Sequence, residues 1–130
     1  MEWSQDLNLG IATIDEQHKE YLESANQLLT ALEQKKHEDA LKRFDEAIAH
    51  IKEHFATEES YFEKYSYPAG KAHKIVHDQF IKEIERMKKD VLEGKELSEK
   101  DKEDLTKWLI NHIRSLDKHY ADFFHKKGIM

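Results

Sequence analysis

The fold is decided by a stretch in the middle of the chain, residues 37–65, which reads HEDALKRFDEAIAHIKEHFATEESYFEKY. Its apolar residues recur at steps of three or four, the spacing that places side chains on one face of an α-helix. They are Leu41, Phe44, Ile48, Ile51, Phe55, Phe62 and Tyr65. One position of this stripe carries a carboxylate, Glu58, instead of an apolar group. The stretch therefore predicts a long amphipathic helix whose buried face has a polar interruption.

Three other segments show the same periodicity, and the sequence predicts further helices over 12–35, 69–93 and 98–127. Ser98, with Asp101 three residues later, is expected to cap the last of these helices. Because the linkers are short, sequential helices should lie antiparallel. We predict an all-α protein: one domain over 1–130, an up-down-up-down antiparallel four-helix bundle with an extended N-terminal arm at 1–11. The predicted buried face of the fourth helix consists of Leu105, Trp108, Leu109, Leu116, Tyr120 and Phe123.

Composition excludes several classes of protein. The 130 residues include no cysteine, which rules out disulfides, cysteine–zinc sites, iron–sulfur clusters and thiol nucleophiles. The net charge of −6 argues against nucleic acid as a partner, since phosphate binding needs an excess of Lys and Arg. No apolar run is long enough to span a membrane, and residues 1–6 lack the apolar core of a signal peptide. We expect a cytoplasmic protein that binds neither nucleic acid nor membrane.

The apolar stripes are interrupted by polar residues of the kinds that bind metals. Burying a carboxylate is expensive unless it is paired or coordinates a metal ion. In an antiparallel bundle, these interruptions fall at one end of the molecule. The sequence therefore predicts a buried metal site formed by seven side chains: His18, His54, Glu58, His73, His77, His112 and Asp117.

The spacing within each helix supports this prediction unevenly. His54 and Glu58 are four residues apart, as are His73 and His77, so each pair shares a helix face. His112 and Asp117 are five apart, which separates them by roughly 140° on an ideal helix. Spacing alone does not aim both of these inward. A local bulge, or a bridging position between two metal ions, would do so.

The number and type of ligands point to the metal. Seven ligands are too many for one tetrahedral zinc ion and suit two octahedral ions that share bridging groups. Five imidazoles with two carboxylates favour a first-row transition metal such as iron over magnesium or calcium. The Glu-x-x-His motif of ferritin-like di-iron bundles does not occur in this sequence. A histidine-rich site is also less anionic than theirs, which favours reversible O2 binding over oxygen activation.

Four strings in this order resemble the hemerythrin family in its single-domain bacterial form. They are DEQH at 15–18, HFATE at 54–58, HKIVH at 73–77 and WLINHIRSLD at 108–117. The resemblance implies two iron ions with an oxo or hydroxo bridge. One iron would be held by His73, His77 and His112, and the other by His18 and His54. Glu58 and Asp117 would bridge both, and the iron with fewer ligands would bind O2.

The same resemblance implies an apolar lining of the O2 pocket by Trp108, Leu109 and Ile113, although ordinary core packing explains each of these residues equally well. The implied function is non-enzymatic: O2 storage, delivery or scavenging, with no catalytic residue. Three alternatives stay open. One is an O2 or redox sensor acting through a separate partner, the second is a di-iron oxidase or peroxidase-type enzyme, and the third is a purely structural bundle. O2 is the expected partner, and the sequence specifies no redox partner.

Overall fold

The chain folds into a bundle of four helical rods. The computed structural model describes residues 3–128. Three rods are single helices and the fourth is divided: α1 Ala12–Glu33, α2 His37–Lys64, α3 Gly70–Leu92, and then α4 Glu99–His112, a π-helical turn Ile113–Asp117 and α5 Lys118–Lys126. We call the last three segments together the fourth rod, and Ile113–Asp117 the π turn. Residues 3–128 contain no β-strand, so the predicted all-α bundle is confirmed.

The first three rods end in the same way, which explains the tight reversals between them. In each case a residue with positive φ follows the helix: Lys35 at 55°, Ser66 at 53° and Gly94 at 84°. The next amide then donates to a carbonyl five residues back, for example Lys36 N to Ala31 O at 3.0 Å. This is the Schellman motif, which satisfies the last carbonyls of a helix. Contacts between the end of one rod and the start of the next, such as Gln27 with Arg43 and Arg86 with Asp101, show that these rods run antiparallel.

The start of the fourth rod is capped as the sequence predicts. The hydroxyl of Ser98 accepts a hydrogen bond from the backbone N–H of Asp101 at 3.1 Å. The carboxylate of Asp101 points elsewhere and accepts a hydrogen bond from Arg86 on α3 at 2.9 Å. The cap thus satisfies one free N–H of α4, while the side chain that follows it ties α4 to α3.

The π turn corrects two predictions about the fourth rod. The predicted continuous helix over 98–127 is interrupted at Ile113–Asp117, where an i→i+5 turn takes in one more residue than an α-turn. The predicted positions of Leu116 and Phe123 are therefore each off by one residue, whereas Tyr120 is buried as predicted. Leu116, predicted to be buried, is 37% exposed, while Asp117 is fully buried. Phe124 takes the core position that was predicted for Phe123, which is only half-buried.

The core consists of two apolar clusters with the histidines between them. The smaller cluster contains Ile11, Ile14, Phe62, Tyr120, Ala121 and Phe124. The larger one fills the rest of the bundle. Phe62 of the smaller cluster contacts the ring of His73 with centroids 4.9 Å apart, and Phe55 of the larger cluster contacts His77 at 3.8 Å. A polar layer therefore divides the core.

The N-terminal arm is held against the bundle by hydrogen bonds. Its described part is mostly extended, as predicted, but includes a short 3-10 turn at Gln5–Leu7. The backbone N–H groups of Leu9 and Gly10 donate to the carboxylate of Asp15 at 2.8 and 3.1 Å. Trp3 packs half-buried on the larger cluster. Residues 1–2 of the predicted arm and 129–130 of the predicted domain lie outside the described residues. Within 3–128, no helix is apolar over enough length to cross a membrane.

Candidate metal centre

All seven predicted ligand residues meet in the polar layer of the core. Five of them have no exposed surface, and His73 and His112 are only 3% and 5% exposed. Their ligand atoms form two overlapping groups, in each of which all atoms lie within 4.8 Å of one another. The first group contains Glu58, His73, His77, His112 and Asp117, and the second contains His18, His54, Glu58 and Asp117. The two carboxylates belong to both groups.

Asp117 faces the two groups with different oxygen atoms. Its Oδ1 lies 3.0 Å from Nε2 of both His73 and His112. Its Oδ2 lies 3.1 Å from Nε2 of His18, on the other side. The two nitrogens of His73 and His112 are themselves 2.9 Å apart. One carboxylate thus lies between three imidazoles in the arrangement expected of a bridge.

Glu58 lies between the remaining two imidazoles. Its Oε1 is 2.9 Å from Nε2 of His54, one turn earlier on α2, and 3.3 Å from Nε2 of His77 on α3. The i,i+4 spacing on α2 gives the first contact directly. The antiparallel packing of α3 on α2 gives the second.

The π turn resolves the weak point of the sequence prediction. On an ideal helix the five-residue spacing from His112 to Asp117 would turn the carboxylate away from the core. The π turn begins directly after His112 and ends at Asp117, and its i→i+5 hydrogen-bond pattern brings residues five apart onto one face. The local bulge is therefore present, and it lies between the two residues that need it.

Unpaired polar atoms test whether this cluster fits a metal ion. Within residues 3–128, nearly all the buried side-chain polar atoms without a hydrogen-bond partner belong to the cluster, the exception being the phenol oxygen of Tyr120. They include Nε2 of His18, His54 and His77, and both oxygens of Glu58 and Asp117. These atoms are close together but are not oriented for hydrogen bonds. Buried polar groups are normally paired, so a set of converging lone pairs fits a bound cation.

The ionisation of the two carboxylates also suits a cation. Burial opposes ionisation of Asp117, but contacts with the imidazoles of His112, His18 and His73 outweigh it and hold the pKa of Asp117 well below its ordinary value. The pKa of Glu58 is lowered too, because His54 and His77 outweigh burial and the nearby Asp117. Burial lowers the pKa of His18. The carboxylates are therefore ionised at neutral pH, as metal ligands must be.

Two hydrogen-bond partners of the histidines were not predicted. The Nδ1 of His54 lies 3.1 Å from Oε1 of Gln17 on α1. The Nδ1 of His77 lies 3.0 Å from Oε2 of Glu59 on α2. Each partner adjoins a predicted ligand in sequence, but each serves a histidine on a neighbouring helix. Nothing in the spacing of a single helix indicates such a contact.

Aromatic and aliphatic groups surround the cluster. Phe55 stacks on the ring of His77, with centroids 3.8 Å apart and planes 3° from parallel. Trp108 stacks on His112 at 4.5 Å, and Leu109 and Ile113 are buried in the same stretch of the fourth rod. The three residues predicted to line an O2 pocket thus contact the imidazole of His112 or flank it in sequence.

Comparison with known proteins agrees with this geometry. A model of the hemerythrin HHE cation-binding domain matches residues 9–124. The chain belongs to the hemerythrin family. The matched range contains all seven residues of the cluster, so a buried group of His, Glu and Asp side chains that fits iron lies within a cation-binding domain.

Curated relatives in this hemerythrin family cover most of the chain. The bacteriohemerythrin of Stenotrophomonas maltophilia is 38% identical over 92% of this chain and 78% of its own length. That of Pseudomonas aeruginosa PAO1 is 36% identical over the same shares. The bacteriohemerythrin of Clostridium acetobutylicum is 29% identical over 92% of this chain and 98% of its own. The likeness thus extends over the bundle and is not confined to one motif.

Proposed function

We propose that this chain binds O2 reversibly at two iron ions joined by an oxo or hydroxo bridge, and that it does so as a single hemerythrin-like domain. The observation that carries the proposal is the pair of overlapping ligand groups that share Glu58 and Asp117. A single metal ion would need only one such group. Two groups with two shared carboxylates fit two ions side by side.

The ligands divide unequally between the two ions. His73, His77 and His112 would hold one ion together with Oδ1 of Asp117. Only His18 and His54 remain for the other. With both carboxylates shared, the second ion would have one imidazole ligand fewer, which would leave room for O2 beside His18 and His54. A pair of ferrous ions would supply the two electrons that reversible binding of O2 requires.

The surrounding side chains would keep water and anions from the open position. Leu109 and Ile113 are buried, and Trp108 covers the ring of His112. An apolar lining disfavours charged species, because moving an ion out of water without a partner costs several kcal/mol. Water and anions promote irreversible oxidation of the irons, so a dry pocket favours the release of O2 intact.

Spectroscopy under controlled gas tests the proposal. The chain is loaded with iron, reduced without oxygen, exposed to air and then purged with argon, while iron per chain and visible absorption are recorded. We expect two irons per chain and an absorption change that reverses over repeated cycles. Immediate and permanent oxidation would contradict reversible binding. Continuous consumption of O2 with a reductant would indicate an oxidase or peroxidase-type enzyme instead.

A pair of variants locates the binding in the cluster. His77→Ala removes a buried ligand and should lower the iron content, whereas His119→Ala removes an exposed histidine of α5 and should leave it unchanged. A His77→Ala protein with full iron and normal absorption would contradict the ligand assignment.

A further inference from the structure

The histidines of the two ligand groups differ in the side chain that lies beside their outer ring nitrogen, Nδ1. His54 has a neutral amide, Gln17, beside its outer nitrogen at 3.1 Å. His77 has a carboxylate, Glu59, in the same position at 3.0 Å. The His18 ring on the His54 side has a buried Nδ1 without a hydrogen-bond partner in residues 3–128. Negative charge therefore supports an imidazole of the first group and neither imidazole of the second.

A chain of hydrogen bonds fixes the orientation of Gln17. The hydroxyl of Thr57 donates to the carbonyl of Glu53 at 3.0 Å, so its oxygen accepts from Nε2 of Gln17 at 3.1 Å. The amide oxygen of Gln17 must then face His54, and the Nδ1 of His54 must carry the proton that it donates. The remaining nitrogen, Nε2, has its lone pair directed at the centre. Thr57 and Gln17 thus set the tautomer of His54.

Glu59 sets the same tautomer for His77 but adds a charge. A carboxylate only accepts hydrogen bonds when ionised, so Nδ1 of His77 donates and Nε2 is free for a metal ion. Lys74 offsets this charge only weakly, since its Nζ lies 3.8 Å from Oε1 of Glu59 and its side chain is 56% exposed. Glu59 is 26% exposed, so its charge is only partly screened by water.

We propose that Glu59 and Gln17 are positioning residues that make the two iron sites electronically unequal. A carboxylate that accepts the outer N–H of a ligand histidine raises the basicity of that ligand, and such charge-assisted hydrogen bonds are roughly twice as strong as neutral ones. His77 is then the stronger donor, and its ion is the first to be oxidised. The ion on His18 and His54, which has the open position, stays ferrous longer. This inference rests on the proposed function.

Reciprocal exchange of the two side chains tests the inference. The iron-loaded full chain is titrated for its two successive one-electron potentials. Glu59→Gln should raise the first potential and leave the second nearly unchanged. Gln17→Glu should lower the second potential, so that each variant narrows the gap between the two. Glu63→Gln removes an exposed charge one turn further along α2 and serves as the matched control.

Two readouts that do not involve O2 separate this role from a merely structural one. Glu59→Gln should weaken the retention of one iron against a chelator by about 10–100-fold while the other iron stays. In the iron-free protein, ¹⁵N shifts of the imidazoles should show the proton of His54 on Nδ1. Thr57→Val, which frees the Gln17 amide to turn, should reduce that population.

The failures of the two proposals are distinguishable. If the unaltered chain does not take up two irons, the proposed function is wrong. If it does, and Glu59→Gln shifts both potentials equally or behaves like Glu63→Gln, the inequality of the sites is wrong. An Nδ1 of His54 that carries no proton would overturn the role assigned to Thr57 and Gln17.

Discussion

Helix α2 and the fourth rod each place one histidine and one carboxylate in the centre, but they do so with different backbones. On α2, His54 and Glu58 are four residues apart in a continuous α-helix. On the fourth rod, His112 and Asp117 are five apart and are joined by the π turn. The regular pair has a carboxylate oxygen in contact with two imidazoles. The irregular pair has a carboxylate in contact with three.

This difference indicates that the π turn positions the carboxylate of Asp117. Asp117 must reach imidazoles of both ligand groups, with one oxygen directed to each. The π-helical geometry turns a carboxylate five residues from His112 inward, and it keeps the residues after it in line so that Tyr120 and Phe124 are buried. On α2 no such adjustment is needed, because regular spacing already puts Glu58 between His54 and His77.

The fourth rod and α2 should differ most in how well the protein still folds after one residue is deleted from the first or inserted into the second. Deleting Ser115, which is exposed in the π turn, gives His112 and Asp117 the four-residue spacing of the α2 pair. We expect this variant to fold, because Tyr120 and Phe124 keep their inward positions in a continuous helix. Inserting an alanine between Ala56 and Thr57 instead rotates all that follows on α2 by about 100°. We expect that variant to unfold.

Thermal unfolding followed by circular dichroism measures both changes. The insertion turns Phe62, only 5% exposed, out of the core, and the loss of one such side chain costs about 3–5 kcal/mol. Total stabilities are about 5–15 kcal/mol, so several displaced residues exceed them. Equal loss of cooperative unfolding in both variants would show that the π turn is not an inserted residue in an otherwise regular helix.

The two carboxylates should differ in their effect on iron. Asp117→Ala removes a carboxylate that contacts three imidazoles. Glu58→Ala removes a carboxylate that contacts two. We expect Asp117→Ala to retain the least iron per chain and Glu58→Ala to retain an intermediate amount, measured by elemental analysis. Asp122→Ala, at an exposed position of α5, is the control and should retain two. The opposite order for the two core variants would contradict the central position of Asp117.

The sequence predicts the continuous helix α2 better than the interrupted fourth rod. The stripe from Leu41 to Tyr65 specifies α2 because a continuous helix has one period. The seven candidate ligands were predicted from interruptions of such stripes, and the structure brings all seven side chains together. In the fourth rod a single period predicted Leu116 as buried, and this was wrong. The π turn places Asp117 beside His18 of α1 and His73 of α3, and no local pattern encodes such contacts.

The hydrogen-bond partners show a second limit. Gln17 adjoins His18 and Glu59 adjoins Glu58, so both were visible as neighbours of ligands. Their contacts, however, run to His54 and His77 on adjacent helices. Such pairs depend on how two helices are rotated against each other. Spacing along one helix contains no information about this rotation.

Replacing one buried aliphatic residue in the fourth rod and one in α2 should separate an effect on stability from an effect on oxygen chemistry. Leu109 of the fourth rod and Ile51 of α2 are both fully buried. Replacing either with alanine should lower the free energy of unfolding by about 2–5 kcal/mol, measured by denaturant titration. Only Leu109→Ala should also speed the irreversible oxidation of the ferrous protein, because Leu109 is proposed to line the pocket. Faster oxidation in Ile51→Ala as well would remove Leu109 from that role.

The smallest change in stability should come from the residues that directly precede α4 and α2. Ser98 caps the fourth rod with its hydroxyl, whereas Lys36 at the start of α2 makes no side-chain capping hydrogen bond. Ser98→Ala should therefore destabilise the protein by about 1 kcal/mol, and Lys36→Ala by much less, both measured as shifts of the denaturation midpoint. The candidate metal centre lies far along both helices, so iron content should be unchanged. A loss of iron in Ser98→Ala would show that the cap also determines the position of the π turn.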